Sequence, residues 1–258
     1  MCFDVSQLIN DMTNEIDRFN NTNFDNNNLI SSVKSFKNKA QNYYHVNGFT
    51  HPSLLVFCNK NNQLGLDQFS WGLIPHWVAT ESQAKSISNK TINARGETIF
   101  QKPSFRDAAI GHRIVIPLNG FYEHHHKKGK KLPYFIKSQD GRRLMLAGIA
   151  SEWLDGNASI IKTFSIVTCS ANDTMTFIHN NPKLKAPRMP LILDDENLNT
   201  WIYGTEEEVK RLIRPNSNIK LDYYTVRPIR GKNYKGNIAS IQEKYNFAED
   251  YRPPTLFD

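Results

Sequence analysis

The sequence predicts an α+β protein: a mainly antiparallel sheet, strongly bent or barrel-like, with helices at its periphery. Three observations lead there. Short apolar β-like runs outnumber helical stretches. The two kinds do not alternate regularly, as a doubly wound parallel sheet would require. Asp140-Gly141 between two such runs is a hairpin signal. The chain has 258 residues, 39% of them hydrophobic, with 15 Phe, 10 Tyr and 4 Trp to fill a core. A single domain over 1–258 is expected, with a helical, Asn-rich insertion at 6–50 and an extended tail at 245–258.

Taken in order, residues 6–20 place Leu8, Ile9, Met12, Ile16 and Phe19 near helical spacing, with Ser6 as a cap. The Asn-rich stretch 20–28 reads as a loop, and 29–42 as a second short helix. From residue 52 the texture becomes β-like. Runs at 53–57, 68–74, 113–123, 133–138, 142–150, 159–168 and 189–193 are apolar and bounded by turn residues, and 221–229 is a late strand. Helices are expected at 171–178, at 195–203 ending before Gly204, and at 206–213. Thr205 with Glu208 three residues on forms a capping box for the last. No internal repeat, P-loop or GxGxxG occurs.

The bulk properties exclude several classes. No apolar run approaches the ~18 residues of a membrane helix. The first twenty residues are polar and acidic, unlike a signal peptide. A cytoplasmic location is expected. Three cysteines (Cys2, Cys58 and Cys169) lack CxxC or Cys/His zinc spacing, which suits a reducing compartment. Cys58 and Cys169 lie in strand-like runs and read as buried hydrophobes. The net charge of +7 suits a polyanionic partner, although many basic proteins bind none.

Cys2 carries the most chemistry. Methionine aminopeptidases usually accept a small second residue, so loss of Met1 would leave an N-terminal cysteine. Its α-amine and thiol can condense together with an aldehyde, and reference pKa values of ~7.7–8.0 and ~8.5 give both usable nucleophile near neutrality. Asn93 and Arg95 in NARGET (93–98) could orient a nucleophile and fork onto a phosphate, or could simply build a surface turn. Glu123 ends an apolar run, where a raised pKa would let it pass protons; a solvated strand-end Glu is the plain alternative. His124, His125 and His126 alternate faces on a strand and rarely converge on a metal. With the lysines that follow they suit a phosphate-touching hairpin tip or a solvated loop. His179 ends a helical stretch where an imidazole can shuttle protons. Lys183, Lys185 and Arg188 add positive charge beside it. Trp77 could stack a base, or serve as core or rim.

These motifs have an order. Met1-Cys2, WGLIPHW (71–77), NARGET (93–98), SFR (104–106), RIVIPLNGFYE (113–123), LPYF (132–135), LAGI (146–149), IVT (166–168), AN (171–172), IH (178–179) and PRMPLIL (187–193) together resemble the SRAP family, named for SOS response-associated peptidase. The resemblance implies the SRAP fold and a sensor of abasic sites in single-stranded DNA, including sites at single-strand/duplex junctions. It implies that Cys2 crosslinks to DNA, Asn93 steadies the Cys2 end and the opened sugar, and Glu123 is the general acid/base. His179 would assist Schiff-base formation, strand cleavage or reversal. Arg95, Arg106 and Arg188 would hold phosphates, and Trp77 would pack at the junction side. No cofactor or metal is expected, no membrane, and a monomer. Two other readings remain open: a thiol peptidase acting on its own Met1, and a noncovalent single-strand binding module. The chain departs from many members in having Phe3-Asp4 after Cys2 instead of Gly-Arg, and His124 instead of Trp after the glutamate.

Overall fold

The computed structural model describes residues 2–10, 12–19, 26–37 and 39–247. The chain opens on a strand where the apolar spacing predicts a helix. β1 (Asp4–Gln7) is buried along its whole length, although three of its four residues are polar. Each finds partners, as buried polar groups must. The Gln7 amide donates to the carbonyls of Leu55 (2.8 Å) and Pro117 (3.0 Å), and its oxygen accepts from Leu55 N (2.8 Å). The residues after β1 form two 3₁₀ turns, Met12–Glu15 and Asp17–Phe19. Met12, Ile16 and Phe19 are buried as their spacing predicts, but in short turns. α1 (Asn26–Lys37) begins three residues before the expected 29. Residues 20–25 of the expected loop, like Met1 and the tail 248–258, lie outside the described residues.

β2 (Tyr43–Asn47) pairs antiparallel with β1, Asp4 facing Asn47. The stretch 6–50, expected as a helical insertion, therefore contributes to two strands of a sheet. That sheet also takes β7 (Gly120–Lys127), β8 (Lys130–Ser138) and β13 (Leu221–Thr225), in the antiparallel order β13-β8-β7-β1-β2.

The second sheet is the barrel. β3 (Ser53–Lys60), β4 (Gln63–Trp71), β6 (Arg113–Leu118), β9 (Leu144–Leu154) and β10 (Ile160–Ser170) pair in the ring β10-β4-β3-β6-β9, and β9 pairs with β10 to close it. Closure removes exposed strand edges. β5 (Asn93–Arg95) and part of β4 run parallel to β10, so the ring is antiparallel except at this seam. β11 (Arg188–Pro190) and β12 (Ile192–Leu193) extend it.

Four further elements are α2 (Glu81–Ser88), α3 (Arg106–Gly111), α4 (Asp173–Ile178) and α5 (Leu198–Tyr203); α6 (Glu206–Leu212) carries the expected capping box. α2 and α3 have no counterpart in the sequence reading. The Asp140-Gly141 turn does not make a hairpin, because β8 belongs to one sheet and β9 to the other. The left-handed turns that do make hairpins are Asn61-Asn62 between β3 and β4 and Lys128-Gly129 between β7 and β8.

Asn119 is where the chain leaves the barrel for the five-stranded sheet. Gly120 must follow it: a Cβ there would lie 2.5 Å from the Ile136 carbonyl oxygen and 2.6 Å from the Phe135 ring. This crossover delivers β7, and with it Glu123, to the side of β1, with Asp4 facing Tyr122.

Candidate active site

The seam between the sheets gathers four side chains from distant parts of the sequence. Cys2 immediately precedes β1 and is 1% exposed. The Asn93 amide, carried on β5 by its parallel pairing with Ile166 of β10, donates to the Cys2 carbonyl at 2.7 Å. The other end of that amide, Oδ1, is buried and accepts no hydrogen bond from the described residues. A bare acceptor beside the Cys2 backbone is an open place for a donor.

Glu123 approaches from β7. Its Oε2 lies 3.9 Å from His179 Nε2, and its Oε1 accepts from the His124 backbone N–H at 3.0 Å. His179 is buried at the C-terminal end of α4, where its N–H bonds to the Met175 carbonyl (2.8 Å). Its Nδ1 lies 2.9 Å from the Arg188 carbonyl oxygen and 3.4 Å from the Arg188 backbone N, and Nε2 is the ring nitrogen that faces Glu123.

Burial pushes the Cys2 thiol far above its ordinary pKa, and the nearby Glu123 charge pushes the same way; a hydrogen bond from the Asp4 backbone opposes them. The thiol is therefore held protonated at neutral pH. Burial pulls His124 below its ordinary pKa, so that ring stays neutral near pH 7. A cleft of about 460 Å³ opens at Glu123 and His179, bordered also by Phe3, Asp4, His124, Lys131 and Arg230. Asp4 is buried among hydrogen-bond donors.

The residues expected to touch DNA are more dispersed. Arg95, two residues beyond Asn93, is exposed. Trp77 is 51% exposed on the loop after β4, its indole N–H toward the Pro103 carbonyl at 3.4 Å. Arg106 begins α3 nearby, exposed and 3.3 Å from Asp107. Arg188 is committed elsewhere: its guanidinium, 14% exposed, forks onto Glu97 at 2.7 and 3.1 Å and also bonds the Thr168 carbonyl. It joins β11 to the NARGET turn. No group of three or more His, Cys, Asp or Glu suited to hold a metal occurs among the described residues, and no helix among them is long and apolar enough to cross a membrane.

The sequence reading missed His45, Tyr234 and Arg230, which surround Asp4. No local spacing could have found them, because Arg230 lies 226 positions from its partner.

A family model described as SOS response associated peptidase (SRAP) matches residues 2–232. Abasic site processing protein YoqW of Bacillus subtilis is 32% identical over 189 residues, spanning 71% of this chain and 80% of that protein. Abasic site processing protein HMCES of Gallus gallus is 33% identical over 173 residues, which are 58% of this chain and 49% of that protein. A crystal structure of a protein from Bacteroides thetaiotaomicron superposes with a TM-score of 0.77 at 30% identity, covering 95% of this chain and all of that one.

Proposed function

The chain belongs to the SOS response associated peptidase family, and we propose that it processes abasic sites in single-stranded DNA by forming a covalent crosslink through Cys2. The observation that carries this reading is that Asn93 bonds the Cys2 backbone and the Glu123 charge acts on the Cys2 thiol, while Glu123 and His179 lie 3.9 Å apart on the wall of one cleft. Relatives named abasic site processing protein support the substrate.

The chemistry follows from the groups. Removal of Met1 frees the Cys2 amine, and the bare Asn93 Oδ1 is an acceptor that could orient it. The amine adds to the C1′ aldehyde of the ring-opened sugar, and the carbinolamine loses water to give an imine. Sulfur then adds to the imine carbon while the thiol proton ends on nitrogen, closing a thiazolidine. Because the thiol is held protonated, sulfur needs a base at the moment of attack. Glu123 is the carboxylate whose charge acts most on the thiol, and His179 Nε2, 3.9 Å from it, can share the proton. Ring closure is intramolecular once the imine exists, so a poorly ionised thiol suffices. Abstraction of a C2′ proton from the imine would instead cleave the strand, whereas reopening of the ring followed by addition of water to the imine would return the aldehyde and the free amine and so release the DNA. A thiol peptidase would need the opposite arrangement, a thiol with its pKa lowered.

The test is a denaturing gel of the Met1-processed protein incubated with an oligonucleotide bearing one abasic site. A shifted band is expected from the wild type and none from Cys2→Ala. Glu123→Gln should slow its appearance by about 10²-fold or more, in the range of a lost general acid/base. Absence of a band from the wild type would overturn the reading.

A further inference from the structure

Asp4 is a carboxylate in a costly place. It is 3% exposed, and a buried charge is tolerated only when paired and fully hydrogen-bonded. Three side chains meet that need. His45 Nε2 lies 3.0 Å from Oδ1, Asn47 Nδ2 donates to the same oxygen at 2.8 Å, and Arg230 donates to Oδ2. Burial pushes the Asp4 pKa up, but His45, Arg230 and Asn47 together outweigh it and hold the carboxylate below its usual range. Tyr234 fixes His45 in turn, its hydroxyl 2.8 Å from Nδ1.

Two of these donors are internal to the sheet and the third is not. His45 and Asn47 sit on β2, beside β1. Arg230 arrives from the segment after β13, its side chain 52% exposed and bordering the cleft that holds Glu123 and His179. That segment is anchored. Val226, Ile229 and Ile241 are buried with Tyr122 and Phe135, Asn237 Oδ1 accepts from Tyr44 N at 2.7 Å, and Gln242 donates to Ser6 Oγ at 2.7 Å. An ion pair with one partner half-exposed adds little stability, about 0–1 kcal/mol. A guanidinium has five N–H donors in a rigid fork, and the Asp4 bond uses one. What the network achieves is orientation: an arginine in one fixed pose beside the reactive cluster.

We propose that Arg230, positioned by the Asp4–His45–Tyr234 chain, binds a phosphodiester adjacent to the nucleotide that enters the cleft. The assignment rests on the reading that the substrate is abasic single-stranded DNA. Any sugar delivered to Cys2 carries a phosphodiester on each side, so an anion must come to rest within a few ångströms of the reacting carbon. Arg230 offers that anion a fork from the C-terminal half of the chain, where Asp4 at the start of β1 cannot.

The test separates charge recognition from folding. An oligonucleotide with a tetrahydrofuran abasic analogue has no aldehyde and binds without crosslinking, so affinity can be read by fluorescence anisotropy. Replacing the phosphodiester on one side of the analogue by a neutral methylphosphonate should weaken wild-type binding by about tenfold. Arg230→Gln should weaken binding of the fully charged strand similarly and then be indifferent to the methylphosphonate. Arg230→Lys should restore part of the loss. Asp4→Asn should weaken binding of the fully charged strand and shrink the penalty of the methylphosphonate, because Arg230 loses the carboxylate that holds it. If Arg230→Gln binds both strands as wild type does, or loses equal affinity for both, the assignment falls. Wild-type protein that fails to crosslink an aldehyde-bearing strand, yet shows the methylphosphonate cycle, would overturn the crosslinking reading and leave Arg230 in place.

Discussion

At the scale of single residues, burial changes what the cysteines can do. Cys2, Cys58 and Cys169 are all buried, and burial pushes the thiol of Cys58 up to about 11 and that of Cys169 up to about 12. The sequence made Cys58 and Cys169 legible as core residues, because strand-like runs surround them. It could not show that the chemically competent Cys2 is equally enclosed, since that depends on Asn93 and Glu123 arriving from 91 and 121 positions away. A raised folded-state thiol pKa has a defined sign. Below the unfolded thiol pKa of ~8.5 both states are protonated and nothing is lost; above it only the unfolded chain ionises, so stability falls as pH rises, until the folded pKa is reached. Between pH 8 and pH 10 each buried thiol should therefore subtract roughly 1–2 kcal/mol. Urea unfolding at the two pH values should show a smaller loss for Cys58→Ala than for wild type, whatever the starting stability of the variant. Equal losses would mean that the thiol is not held protonated by the fold.

At the scale of elements, the long runs were legible and the short connectors were not. The runs containing β3, β9 and β10 are apolar over many residues and bounded by turn residues. β5 has three residues and α3 has six, too few for any periodicity to register. They exist because the tertiary structure satisfies their ends. Arg113 on β6 shows how: its buried guanidinium donates to Ala109 and Ile110 at the end of α3 and to Trp201, Ile202 and Gly204 at the end of α5. Five carbonyls that helix geometry leaves unpaired are met by one side chain. Those two helices are thus tied to the barrel by a residue that reads, in sequence, as a charge opening a strand. Arg113→Met should lower unfolding free energy by about 3 kcal/mol or more, since the methyl thioether leaves the carbonyls desolvated and unpaired. Arg113→Lys should recover less than half, because an ammonium cannot present the fork. Chemical denaturation of the three proteins decides it; a fully stable Arg113→Lys would show that charge alone suffices.

At the scale of the whole molecule, the candidate site exists only where the two sheets meet, with Arg230 from the segment after β13 at its rim. Motif order pointed to Cys2, Asn93, Glu123 and His179. Only the closed barrel with its parallel seam explains how β5 reaches Cys2, and only the Asn119–Gly120 crossover explains how β7 reaches β1. Charge is organised around the same meeting point. Beside the cleft runs a groove bordered by Lys127, Lys131, Arg227, Lys235 and Tyr245, and Lys131 and Pro228 border both. Asp4 is already neutralised by its donors, so the cations face an incoming strand with Glu123 as the acid left among them. A single strand that follows this path and covers about four phosphates should show log K falling with log salt at a slope near −3, since each neutralised phosphate contributes ~0.7. Replacing Lys131 and Lys235 together by Gln should flatten that slope by about 1.4, two phosphate contacts' worth, while leaving the crosslink rate at saturating DNA close to wild type. The measurement is an anisotropy titration across a salt series with the tetrahydrofuran strand. An unchanged slope in the double variant would show that the strand does not follow this groove.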